Sequence, residues 1–241
     1  MGDTLTAKRK GELLELSARL GVEFKDLTLL HKALIHSSYA NEAKEKNIVH
    51  NERLEFLGDA VLELASSTYL YMQFPQMPEG QLTKTRASIV CSTSLAELAR
   101  TLHLGDYLLL GHGEEMSGGR DRQTNLEDVF EAVIGAIYLD QGWEVAKDYV
   151  TRQLMPLFKQ VEQGGILKDY KTILQEVVYQ EAQQTVSYEL VSTSGPDHDK
   201  TFTFHVKITG KVMGTGTGRS KKEAEQKAAR QALEKLTSKN K

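Results

Sequence analysis

Apolar residues recur at helical spacing through most of the first 158 positions. The pattern predicts helices over Gly11–Leu20, Leu27–Ser37, Asn51–Phe74, Gly80–Leu102, Leu126–Leu139 and Trp143–Phe158, separated by turns that carry Gly or Pro. No alternation long enough to build a sheet occurs there. Lys159–Lys168, KQVEQGGILK, loses the period and holds Gly164-Gly165, so it reads as a linker. Beyond it the rhythm changes. Asp169–Glu181 is helical in period. Val186-Tyr188-Leu190 and Phe202-Phe204-Val206-Ile208 alternate with polar residues as half-buried strands do, and a Gly-rich third strand spans Val212–Gly218. A last helix starts near Ser220, where Ser220-x-x-Glu223 makes a capping box, and Ala224, Ala228, Ala232 and Leu236 form its packed face. The fold class expected is mainly α. An all-helical domain over residues 1–158 and a linker over 159–168 precede a small α-β-β-β-α domain over 169–241, with helices on one side of an antiparallel sheet.

Composition narrows the classes. The 241 residues are 40% hydrophobic and 26% charged, ordinary for a globular chain. No run approaches the roughly 18 apolar residues of a membrane span, and the N-terminus lacks the order of a signal peptide, so a cytoplasmic protein without a membrane partner is expected. The single cysteine, Cys91, excludes an intramolecular disulfide and a multi-Cys zinc site. Unaccompanied by an evident His–Asn relay, it also argues against thiol catalysis. The net charge of -3 conceals a split. Residues 1–168 carry 18 Lys and Arg against 24 Asp and Glu, whereas 169–241 carry 12 against 9. A basic tail domain on an acidic body points to a nucleic-acid partner for the tail.

The candidate chemistry begins in NERLEFLGDAVLEL, residues 51–64. On a helical wheel Glu52, Asp59 and Glu63 fall within about 40° of one another and Glu55 about 60° to one side, opposite Leu54, Leu57, Val61 and Leu64. Like charges at i,i+4 oppose helix formation, so a cation is needed nearby unless the stripe is simply a solvated face. A second helix, NLEDVFEAVIGAIYLD, repeats the device with Asp128 and Glu131, beside small Ala132 and Gly135. If the two helices meet, Glu55, Asp59, Asp128 and Glu131 make an all-carboxylate pocket. Hard oxygen ligands without Cys or His select Mg²⁺ or Mn²⁺, the usual apparatus for phosphodiester hydrolysis.

Three blocks, HSSYANE…NERLEFLGDAVL, PEGQLTKTRASIV and LEDVFEAVIGAIYLDQG, closely resemble the motifs of bacterial ribonuclease III, in order and over nearly the whole chain. The resemblance implies that Glu55, Asp59, Asp128 and Glu131 bind catalytic Mg²⁺, with Mn²⁺ as a substitute and no organic cofactor, Asp59 and Glu131 being the central catalytic acids. It makes Glu52 and Glu79 accessory acids beside the catalytic valley. Glu63 matches no motif position and reads as surface. Glu127 stands where the family commonly has Ala, adding one negative charge. Phe56, which general statistics would bury, matches a residue that enters the second subunit, so a homodimer follows with one site for each strand of a duplex.

The tail, DYKTILQE…SGPDHDKTFTFHV…GTGTGRSKKEAEQKAARQAL, resembles a double-stranded RNA-binding domain. Lys221 and Lys222, at the start of a helix whose free N–H groups favour an anion, are placed to meet phosphates. By resemblance Gln175 and His198 touch successive minor grooves of A-form RNA, which such domains read by shape and 2′-hydroxyls. Tyr170 departs from the Pro many relatives carry. Lys84, Arg86 and Arg120 are weaker candidates for phosphate contact, with plain surface charge as the alternative. The function expected is an Mg²⁺-dependent endoribonuclease that hydrolyses double-stranded RNA and leaves 5′-phosphate and 3′-hydroxyl ends with short 3′ overhangs, in the processing of precursor rRNA and structured mRNA. The alternative is a catalytically idle RNA-binding regulator of the same architecture.

Overall fold

Residues 5–43, 48–162, 170–179, 184–195 and 200–238 are described by the structure, a computed structural model. Two units emerge, Met1–Ile166 and Leu167–Lys241. In the first the helices are α1 (Ala7–Leu20), α2 (Leu27–Ala33), α3 (Ser37–Glu42), α4 (Glu52–Gln73), α5 (Glu79–Ile89), α6 (Ser92–Thr101), α7 (Leu104–Tyr107), α8 (His112–Met116), α9 (Gln123–Gln141) and α10 (Trp143–Glu162), with a 3₁₀ turn at Gly119–Asp121. The centre is α9. From Leu126 to Ile137 most of its side chains are buried, including Val129, Phe130, Ala132, Val133, Ile134 and Ala136 at 0% exposure. A helix apolar on nearly every face must be surrounded, and α2, α4, α6 and α10 surround it. None of the described helices is long and apolar enough to cross a membrane.

Several helix boundaries differ from the sequence pattern; α1 starts four residues early, at Ala7, α9 spans Gln123–Gln141, and three further differences are larger in consequence. Gly80–Leu102 is two helices, not one. α5 ends at Ile89 with Val90 as its C-cap (φ -95°, ψ 32°), and Cys91 turns extended (φ -82°, ψ 154°) to open α6. Leu27–Ser37 stops at Ala33, because Leu34 turns out of the helix (φ -99°, ψ 8°) and Ile35 makes an isolated parallel bridge with Leu109. That bridge holds the only pairing of this kind found among the described residues of the first unit. Lys159–Glu162, at the start of the segment read as a linker, is the last turn of α10. Val161 continues the apolar face of Phe158 at i,i+3 and is 5% exposed, so tertiary burial extends the helix where local period fades.

The tightest packing is between α4 and α9. A Cβ on Gly58 would lie 1.8 Å from the carbonyl oxygen of Glu131, and one on Gly135 would lie 2.2 Å from that of Leu54. Backbone meets backbone at this crossing, which only residues without side chains allow. The hydrophobic faces of both helices, Leu54, Val61 and Leu62 on one and Val129 and Val133 on the other, are buried around the contact.

The second unit has the order α11 (Tyr170–Tyr179), β1 (Val186–Ser194), β2 (Thr201–Ile208), β3 (Lys211–Gly218) and α12 (Lys221–Ser238), with an antiparallel sheet ordered β1-β2-β3. Tyr188 pairs with Val206, and Phe204 with Gly216. Thr209 and Gly210, both at positive φ (46° and 79°), make the two-residue turn between β2 and β3. The core joins Leu174 and Val178 of α11, Val206 and Ile208 of β2, and Ala228, Ala229 and Ala232 of α12. The GTGTG run is explained here. Cβ atoms on Gly214 and Gly216 would each come within 2.1 Å of a carbonyl oxygen of α12, so inward glycines and the alanine face let that helix lie directly on β3.

The α4–α9 contact is rigid backbone, so Gly58→Ala should destabilise the protein by about 3 kcal/mol. Gly11→Ala, in a helix with nothing near the added methyl, should stabilise it by about 0.5–1 kcal/mol. Urea unfolding of both variants checks this; a Gly58→Ala protein as stable as the parent would contradict the packing.

Candidate active site

Asn51 opens α4. Its N–H donates to the Ile35 carbonyl (2.8 Å), and its own carbonyl accepts from Leu54 (2.8 Å) and Glu55 (2.9 Å). Glu52 and Glu55 then fall in the first turn, where the free N–H groups favour negative charge. Gly58 lies between Glu55 and Asp59 in sequence. The glycine that brings α4 onto α9 therefore carries both acids to the seam, opposite Asp128 and Glu131.

The electrostatics record the result. Burial pushes the Glu131 carboxyl from its ordinary 4.5 up to about 8, and the charges of Asp59, Glu127, Glu55 and Asp128 add to the shift. Glu55 rises from 4.5 to about 7, through burial first and then Asp128, Glu52, Glu127 and Asp59. Asp128 rises from 3.8 to about 6, through burial and then Glu127 and Glu52. Each helix thus feels the carboxylates of the other. Glu52 and Glu127 belong to the same electrostatic group, and Glu127 acts on all three shifted acids. Asp59 is the exposed member of the four.

Other residues from the sequence fall elsewhere. Glu63 leaves the stripe to pair with Arg86 (3.1 Å), whose guanidinium also donates to Ser67 Oγ (2.8 Å). Arg86 is thereby turned to α4. Arg120 is turned inward too, donating to the carbonyls of Gly105 and Leu108 (both 2.9 Å) and pairing with Glu115 (2.6 Å). Lys84 is exposed. Glu79 is exposed in the first turn of α5 and accepts from Thr83 (2.9 Å); its charge does not figure among those shifting Glu55, Asp128 and Glu131. Phe56 is 79% exposed, with Leu64, Tyr71 and Met72 also exposed farther along α4. In the second unit Lys221 and Lys222 are exposed in the first turn of α12, behind the Ser220 cap, whose Oγ accepts the Glu223 N–H at 3.2 Å. The returning arm of Glu223 reaches the N–H of Arg219 (2.9 Å). Gln175 is half-buried on α11, and His198 lies outside the described residues.

Sequence reasoning passed over Gly58 and Glu114. Glu114 accepts from the buried Asn125 amide (2.7 Å) and pairs with Arg122; the amide first and the guanidinium after it hold the carboxyl below the usual range. The dipeptide pattern around Gly113 and Glu114 gave no chemical signal, since both partners are distant side chains.

A divalent cation fits the donor set. The acids offer only oxygens, make no ion pair with a base among the described residues, and are pushed toward protonation first by burial and then by one another's charge; a hard cation offsets both. Among the described residues, no three His, Cys, Asp or Glu side chains are already gathered as a finished cage. The arrangement can concentrate cations beside a phosphate and has no nucleophile of its own.

The pH consequence has a definite sign. Acids whose folded values lie above their unfolded values stabilise the protein most below about pH 4, and that contribution is lost as pH rises through about 6 to 8. With chelator present, the thermal midpoint should therefore fall between pH 5 and 8, and Glu131→Gln should flatten the fall. A divalent cation should raise the midpoint most at the alkaline end. Calorimetric scans across this range check it; a metal-free midpoint that rises from pH 5 to 8 alongside an unchanged Glu131→Gln slope would count against the crevice.

Two family models match the chain, one described as Ribonuclease-III-like over residues 26–157 and one as double-stranded RNA binding motif over residues 170–236. The chain is 53% identical over 222 residues to Ribonuclease 3 of Pelotomaculum thermopropionicum, covering 92% of each protein. It is 48% identical over 234 residues to Ribonuclease 3 of Treponema denticola, covering 97% of this chain and 95% of that one. Its structure is similar to the nuclease domain of ribonuclease III from Campylobacter jejuni, at 43% identity over 60% of this chain and 97% of the other, with a TM-score of 0.55.

Proposed function

Because the chain belongs to the ribonuclease III family and is an endoribonuclease of double-stranded RNA with a divalent-metal cofactor, we propose that Glu55, Asp59, Asp128 and Glu131 are its metal-holding acids and that the metal is Mg²⁺, with Mn²⁺ able to substitute. One observation carries this reading: the backbone contact at Gly58 and Gly135 puts carboxylates from two helices close enough to raise one another's proton affinity. When bound, the cation activates water and neutralises charge on the scissile phosphate.

The residues have distinct tasks in this reading. Glu131 is the acid whose proton affinity is raised furthest, so it gives up its proton on loading and then contributes a full charge in a low-dielectric seam. Asp128 and Glu55 do the same at lower pH. Asp59, exposed, stands toward the substrate side. Glu52 adds to the field in the valley, and Glu79 acts as an accessory acid from α5. Lys221 and Lys222 hold phosphates of the duplex, while Gln175 and His198 meet its minor grooves.

Phe56 supports a homodimer. A phenyl ring 79% exposed beside Glu55 needs cover, and a region involved in dimer formation is described for the Campylobacter jejuni nuclease domain. Two sites related by a two-fold axis would cut the two strands, leaving 5′-phosphate and 3′-hydroxyl ends with short 3′ overhangs. Cytoplasmic precursor rRNA and structured mRNA are the proposed substrates, with residues 1–158 as the catalytic and dimerisation part and 169–241 as the RNA-binding part.

Glu131→Gln should retain duplex binding in Ca²⁺ and lose cleavage in Mg²⁺ by at least about a hundredfold; cutting at the parental rate would remove Glu131 from the site. Phe56→Ala should shift sedimentation toward the monomer. A dimer of undiminished stability would leave the exposed ring without the proposed role.

A further inference from the structure

We infer that Glu42, at the end of α3, is a positioning residue for the acids of α9, acting through a polar strut that crosses α8; the inference rests on reading Asp128 and Glu131 as metal-holding residues. The segment from Leu34 to Glu42 reaches the start of α4 directly and the start of α9 through α8. On one side the Ile35 carbonyl accepts the N–H of Asn51 (2.8 Å), which opens α4. On the other, the Leu109 N–H donates to the Leu34 carbonyl (2.8 Å) and the His36 N–H to the Leu109 carbonyl (3.1 Å), drawing the chain before α8 alongside.

The strut starts at that junction. Ser38 Oγ accepts the N–H of Gly111 at 2.9 Å. The Glu42 carboxylate accepts the N–H of His112 at 2.6 Å and lies 3.5 Å from that of Gly113, so it supplies partners for the free N–H groups that open α8. The contact is close: a Cβ on Gly111 would fall 2.5 Å from Glu42 Oε1 and 2.8 Å from the Ser38 carbonyl. One residue beyond Gly113, Glu114 accepts from the Asn125 amide (2.7 Å) and pairs with Arg122. The same amide donates to the Gly119 carbonyl at 3.0 Å. Asn125 is 5% exposed and lies in the first turn of α9, three residues before Asp128.

A five-residue helix such as α8 cannot hold its own place. Its seat is fixed from outside, by Glu42 and Ser38 on one side and by Arg120, Arg122 and Asn125 on the other. Losing Glu42 frees exposed N–H groups that water can satisfy, so the core and the RNA-binding unit are unaffected. What loosens is the seat of Glu114, and with it the start of α9, where mutually repelling carboxylates are ready to spread. A metal site is sensitive to displacements of about half an ångström.

The test uses the full chain as Glu42→Ala, Glu42→Gln and Glu131→Gln. Mn²⁺ uptake is measured by calorimetry without RNA, duplex affinity in saturating Ca²⁺, and cleavage against Mg²⁺ concentration. Glu42→Ala should weaken Mn²⁺ binding and raise the half-saturating Mg²⁺ by about tenfold, with duplex affinity and the rate at saturating Mg²⁺ retained. Glu42→Gln, which keeps an oxygen for the His112 N–H, should restore the parental values. Parental Mn²⁺ binding by Glu131→Gln would overturn the four-acid reading and the inference with it. Where Glu131→Gln has lost Mn²⁺, parental Mn²⁺ affinity in Glu42→Ala overturns the strut alone, even if the thermal midpoint falls.

Discussion

The crossing of α4 and α9 is the constraint on which the first unit depends. Two helices usually keep their axes about 8–10 Å apart because side chains intervene. Here Gly58 meets the carbonyl of Glu131 and Gly135 that of Leu54, so polar groups anchored one residue or one turn away are drawn into a common seam. The acids need no special rotamer or loop to converge. They follow from where the side chains are missing.

That convergence costs stability, and the rest of the unit offsets it. Carboxylates pushed to about 7 and about 8 are unfavourable when ionised without a cation. The compensation is the burial of α9 on nearly every face, at roughly 25 cal/mol per Å² of apolar surface removed from water. The seam also has lateral supports. The Arg86 guanidinium holds Glu63 and Ser67 on α4, and the Glu114–Asn125 contact holds the start of α9. Charge repulsion that would open a softer interface is thereby kept as affinity for a cation.

The second unit uses the same device for another end. Gly214 and Gly216 face Ala224 and Ala228 so closely that any side chain would strike the backbone of α12. Helix and sheet are held at a short distance, and the exposed start of α12, with Lys221 and Lys222, has a fixed origin at the Ser220 cap.

By itself the sequence determined the class of the long helices and of the strands and brought the acids forward as candidates, whereas the short α3, α7 and α8 had no signal in it. Helical period, strand alternation and the capping box are local signals, and the spacing of Glu55, Asp59, Asp128 and Glu131 within specific motif blocks needed no coordinates. Helix ends at Ala33 and Glu162 were not legible, because pairing of Ile35 with Leu109 and the burial of Val161 depend on distant partners. Tertiary structure alone decided that Glu63 and Arg86 pair off, that Arg120 turns inward, and that Glu42 caps a helix 70 residues away. The physical reason is the same in each case: a wheel gives the direction of a side chain, whereas its charge state and partner are set by which other backbone comes within reach.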